Sequence, residues 1–122
     1  MKNVIAAIAL AVTALFATGA ALAHHGWAWT TGGNIEVFGV ITKAELGNPH
    51  GVLTLDVEGE TWTAEVGQPW RNERAGLKDS DFAVGNEIKL IGEPAANIED
   101  KLIKVERLYI GEKLYELYPE RD

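Results

Sequence analysis

The sequence predicts an all-β domain, a small OB-fold-like barrel of five to six strands with one short helix between strands three and four. Three observations carry this. Apolar residues alternate with polar ones along several short stretches, Gly and Asn punctuate them at close intervals, and the period changes once, between Pro69 and Leu77. A small open meander or sandwich is the competing arrangement of the same elements.

In chain order, residues 34–46 read as a long first strand. Ile35, Val37, Gly39 and Ile41 alternate with Glu36, Phe38, Val40 and Thr42, so both faces are partly apolar and Gly39 allows a bend. Residues 52–57 put Leu53, Leu55 and Val57 on one face. After Glu58-Gly59-Glu60, Trp62, Ala64 and Val66 continue that face, which is the pattern of a hairpin. Pro69 opens a short helix that places Trp70, Arg74 and Leu77 on one side, with Gly76 near its end. Residues 86–92 and 101–110 supply strands four and five. Gly111-Glu112-Lys113 turns into a last strand, 114–118, ended by Pro119. Trp62 is expected in the core, as is Trp70, each supplying packing area with one polar edge.

The first 23 residues follow another rule. Lys2 precedes an almost unbroken apolar run from Val4 to Phe16, followed by small residues ending in Ala21-Leu22-Ala23. That is the pattern of a signal peptide, giving residues 1–23 as leader and 24–122 as a single periplasmic domain. The run is shorter than the roughly 20 residues of a spanning helix, so no stable membrane anchor is expected. Gly19-Ala20-Ala21 offers a second cut that would leave Leu22 first. The 122 residues contain no Cys, which excludes disulfides and lipidation of a cysteine. Beyond residue 23 there are 10 Lys plus Arg against 18 Asp plus Glu, a net charge of −8. Such a field repels phosphate backbones, so no nucleic acid is expected, and it favours a cation or a basic partner.

Chemistry concentrates on the three histidines. His24 and His25 directly follow the predicted cut, and His50 sits in the loop Leu46-Gly47-Asn48-Pro49-His50-Gly51 between strands one and two. Cleavage after Ala23 would make His24 the first residue, whose α-amine and ring nitrogen can chelate one metal ion. With His25 and His50 this is a nitrogen-rich set suited to copper as Cu(II), and less selectively to nickel or zinc. It is similar to the histidine brace of copper-dependent oxygenases. Trp27 and Trp29 follow at period two, either as a short edge strand that packs a Trp onto the barrel or as an exposed aromatic patch. Glu65, on the face opposite Trp62 and Ala64, is the first carboxylate to test as a further ligand. The pairs Glu58 with Glu60, Asp79 with Asp81 and Glu99 with Asp100 read as solvated turns. No nucleophile elbow, P-loop, dinucleotide fingerprint or paired zinc motif is present.

Several stretches together resemble a family of small exported bacterial proteins catalogued as domain of unknown function 6152. They are His24-His25-Gly26-Trp27, the loop ending Asn48-Pro49-His50, Gly59 to Glu65, Arg74-Ala75-Gly76, Val84-Gly85-Asn86-Glu87 with Ile91-Gly92, and Tyr115 to Arg121. Many relatives have Ser-Phe at Gly26-Trp27, and the segment after the helix is more acidic here. The resemblance implies an exported small β domain and adds weight to His24, His25, Asn48, Pro49 and His50. It implies no reaction. Two functions are expected to compete: a metal-binding protein that carries or buffers copper, and an OB-like binding module for a small molecule or protein partner using Trp62, Trp70 and Tyr109. An oxidative copper enzyme is a third, less favoured reading, because nothing visible builds a substrate surface.

Overall fold

Strands form where the alternation lies. In the computed structural model, which describes residues 27–121, these are β1 (Ile35–Glu45), β2 (Val52–Val57), β3 (Glu60–Glu65), β4 (Glu87–Pro94), β5 (Leu102–Ile110) and β6 (Lys113–Glu116). One helix, α1 (Pro69–Arg74), lies between β3 and β4. Two single-turn 3₁₀ segments, Asp79–Phe82 and Ile98–Asp100, precede β4 and β5.

The sheet runs β3-β2-β1-β4-β5-β6, and a further pairing of β3 with β5 closes its first five strands into a barrel. All neighbours are antiparallel except β3 with β5, where Thr63 faces Leu102, Ala64 faces Ile103 and Glu65 faces Lys104 in parallel register. Closure gives β3, the outermost strand at one end of the order, a second neighbour and so removes its free edge, the principal liability of small open sheets.

The hairpin of β2 and β3 turns on two residues, Glu58 (φ 51°) and Gly59 (φ 87°). Positive φ at both positions matches the right-handed strand twist, as in a type I′ turn. That turn sets Leu55 opposite Trp62 and Leu53 opposite Ala64, all buried. Val37, Ile41, Ile88, Leu90, Ile103, Val105 and Leu108 complete the barrel interior, and Leu77, Phe82, Tyr115 and Leu117 close it.

A bulge interrupts the β4–β5 ladder, with Ile91 opposite Arg107, Gly92 opposite Val105 and Glu106 left over. Gly92 is required there, because a Cβ would lie 2.0 Å from the Lys104 carbonyl oxygen. On the β6 side, the Glu106 carbonyl accepts the amides of Leu117 (2.9 Å) and Tyr118 (3.0 Å), which continues the β5–β6 register and docks the C-terminal tail on the barrel.

Three details differ from expectation. Trp27 and Trp29 lie in a turn instead of an edge strand, and the pairing that follows is a single β-bridge, Thr30 with Ala95. Trp70 is half exposed and stacks under Arg71 (4.6 Å) and Arg74 (5.1 Å); the inward residue of α1 is Asn72, whose side chain bonds both Gly67 backbone groups. β4 runs two residues further than expected, to Pro94, because β5 pairs with it as far as Ile103. Among the described residues no helix is long and apolar enough to cross a membrane. The leader, His24 and His25 fall outside the described residues.

Candidate metal centre

The hairpin positions His50. Just beyond β2, Gly51 donates to Gly67 O (3.0 Å) and accepts from Val66 N (2.9 Å), so the ladder continues past the strand end. Val52 pairs with Glu65, and His50, two residues before Val52, lies on the same face and diagonally across from Glu65. His50 Nε2 stands 3.2 Å from Glu65 Oε1. The loop's Asn48–Pro49 peptide bond is cis.

Lys104, registered against Glu65, places its Nζ 3.3 Å from the same Oε1. Both side chains are buried, with Glu65 at 8% and Lys104 at 5% exposure. A buried carboxylate is tolerated when paired and hydrogen-bonded, and Glu65 has both an ammonium and an imidazole on it. A proton on His50 Nε2 meets the carboxylate and leaves Nδ1 as a lone pair. That atom is buried and has no hydrogen-bond partner among the described residues. An imidazole oriented by a carboxylate through one nitrogen, with the other free, is the arrangement common to metal-ligating histidines.

Trp27 roofs this row. Its ring lies 5.3 Å from Lys104 Nζ, 3.8 Å from the Arg121 guanidinium carbon and 5.2 Å, edge to face, from the Tyr118 ring. Thr30 secures the turn by donating to Trp27 O (2.8 Å), Thr31 N donates to Pro94 O (3.2 Å) and Ala96 N to Trp29 O (3.3 Å). Trp27 therefore packs onto the barrel, though from a turn and not from the edge strand expected, and three contacts, through Lys104 and Glu65, connect it to His50.

Beyond Lys104 the row continues into Glu93 and Glu106, exposed by 2% and 1%. Arg121 pairs with both, at 2.6 Å and 3.5 Å. Thr30 adds a bond to Glu93 (3.3 Å) and Asn34 one to Glu106 (3.3 Å), while the Arg121 carbonyl accepts from Arg107. Sequence reasoning gave these two carboxylates no place. They occupy outward strand positions, where solvation is the default, and the docked tail covers them together with the segment around Thr30 and Asn34.

Of the residues singled out by sequence, His50 and Glu65 are in contact. The described residues contain no group of three or more metal-ligating side chains, so a complete centre would need ligands from residues 24 and 25. Trp62, Trp70 and Tyr109 are not gathered: Trp62 is buried and lines a groove that neither of the others lines, Trp70 is on α1, and Tyr109 carries Lys89 Nζ over its ring at 4.7 Å.

No curated protein matches the sequence. Among solved structures, the chain is similar to the ZRD-deleted mutant of TiaS in complex with agmatine, at 14% identity and a TM-score of 0.51, over 73% of this chain and 27% of that one. It is also similar to the yeast Stn1 and Ten1 structure, at 15% identity and a TM-score of 0.50, over 66% of this chain and 43% of that one. It thus spans about a quarter of the TiaS chain. At such identities the likeness concerns the fold, an OB barrel, in agreement with the strand order. The model of the Family of unknown function (DUF6152) matches residues 11–102, three-quarters of the sequence, and the chain belongs to that family.

Proposed function

We propose that this is a periplasmic copper-binding protein that carries or buffers Cu(II), with His24, His25 and His50 as ligands. The observation that carries the reading is the His50 ring, held through Nε2 by buried Glu65 with Nδ1 unpartnered. A second feature supports it. Trp27 is fixed beside Lys104, which touches the same carboxylate, and the chain lengths from Trp27, about 7 Å to His25 and about 10 Å to His24, allow both to reach toward His50. The donor set is imidazole and amine nitrogen, with no thiolate available, which favours Cu(II) over Cu(I). Export by the predicted leader exposes the His24 amine and so completes the chelate.

The test uses the protein as the cell processes it, with its first residue established by mass. Cu(II) titration followed by electron paramagnetic resonance is expected to show one nitrogen-coordinated ion per chain, and His50→Ala to weaken binding at least 10-fold. Binding no tighter than that of an unrelated protein, or unchanged in His50→Ala, overturns the reading.

A further inference from the structure

At the opposite end of β1 from His50, the barrel leaves a strand edge open. β1 pairs with β4 over Ile35 to Val40, but its pairing with β2 begins only at Val40. Ile41 donates to Asn86 O (3.0 Å) and accepts from Gly85 N (2.8 Å), so its backbone groups aim toward β4. Groups on one strand alternate in direction, which aims those of Ile35, Val37 and Gly39 the same way and those of Glu36 and Phe38 at the open side. Among the described residues, no strand residue is paired with Glu36 or Phe38 on that side.

A groove of about 600 Å³ runs along this edge, lined by residues 35–40, by Asp56, Val57 and Glu58 after the β1–β2 crossing, and by Trp62 and Ile98. Inward and outward residues of β1 both line it, as occurs when a groove meets a strand edge-on. Its apolar walls are not covered: Phe38 is 57% and Ile98 50% exposed, two of the five large apolar side chains exposed among the described residues. Its charged residues, Glu36, Asp56 and Glu58, are all acidic. Natural sheets blunt open edges with charged side chains, above all Lys, with Pro or with a covering segment; among the described residues the groove has only the three carboxylates and neither Lys, Pro nor a covering segment.

We propose that this edge binds an extended peptide segment of a partner protein by strand addition, the segment carrying apolar side chains in alternation with Lys or Arg. The Glu36 and Phe38 amides and carbonyls supply the ladder, Val57 and Ile98 take the apolar side chains, and the three carboxylates take the basic ones, whose aliphatic stems lie against Phe38 on the face it shares with Glu36. A second copy of this chain is disfavoured as occupant, because it would bring Glu36 toward Glu36 and a net charge of −8 toward itself.

The probe is a nine-residue peptide alternating Val and Lys with blocked ends, added to the naturally processed protein with chelator present, so that the copper reading is not involved. Amide hydrogen exchange at Glu36 and Phe38 is expected to slow at least 10-fold. Affinity should fall at least 10-fold for the Glu-for-Lys peptide, for one N-methylated along its bonding edge, and in Phe38→Lys, whose exposed site leaves the core intact and whose charge repels the peptide's lysines. Equal binding of the N-methylated peptide, or binding that leaves those two amides unprotected, overturns strand addition. Protection of the same amides without peptide, rising with protein concentration, identifies a second copy and overturns the assigned partner; protection without peptide and independent of concentration, in chain that retains its leader, does the same in favour of the leader.

Discussion

Glu65 touches both His50 and Lys104, so one side chain serves the candidate site and the barrel wall together. Glu65→Gln keeps an acceptor oxygen toward both neighbours and removes the carboxylate that orients the imidazole. Copper affinity is expected to fall 10- to 100-fold, the usual effect of losing such an outer partner, which a competition titration against a chelator would measure. Unchanged affinity would separate Glu65 from the site. Much of this contact is legible in the sequence. A two-residue turn at Glu58-Gly59 fixes Val52 opposite Glu65, and His50 shares the face of Val52. Lys104 is not legible, because its approach depends on the parallel pairing of β3 with β5, which leaves no local pattern.

Among the elements, the β4–β5 bulge carries more than its own two strands. It falls at Glu106, whose carbonyl accepts from the tail and whose side chain pairs with Arg121. Gly92→Ala would drive a Cβ into the Lys104 carbonyl, and overpacking against backbone is expected to destabilise the barrel by about 3 kcal/mol in urea unfolding. A loss under about 1 kcal/mol would mean the bulge yields easily. The strands were readable from alternation to within about two residues, since a half-buried sheet imposes that period directly. The segment before β4 was not. Phe82 is 1% exposed and among the largest fully buried side chains, yet it ends a 3₁₀ turn of four residues, Asp79–Phe82, too short to display any period. Trp70 misled for a related reason: in six helical residues one apolar side chain does not define an inward face, and Asn72 takes that role through Gly67.

For the whole molecule, closure and the tail decide stability together. β5 pairs with β3, β4 and β6, and the tail that follows β6 covers the polar row on the outside of the barrel. Arg121→Ala leaves Glu93 and Glu106 buried with only neutral partners and Arg107 nearby. Because Arg121 is itself about one-third exposed, the expected cost is about 2 kcal/mol, below that of breaking a fully buried pair. The loss should diminish in an Arg121→Ala, Glu93→Gln double variant, and equal losses would assign the effect to Trp27 packing instead. Barrel order was legible as a sequence of elements, three strands, a helix and two or three strands; which outward faces are dry was not.

The clasp of Trp27 by Tyr118 and Arg121 sets the beginning and end of the domain side by side. A circular permutant, with the C-terminal end linked to residue 24 by a few glycines and the chain reopened in the exposed Gly111-Glu112 turn, should therefore fold with near-native cooperativity. It would retain every imidazole of the proposed copper site and bury His24 nitrogen in an amide. A folded permutant with undiminished copper affinity would remove the amine from the ligand set, whereas one that folds and loses copper would make cleavage of the leader a chemical step in assembling the site.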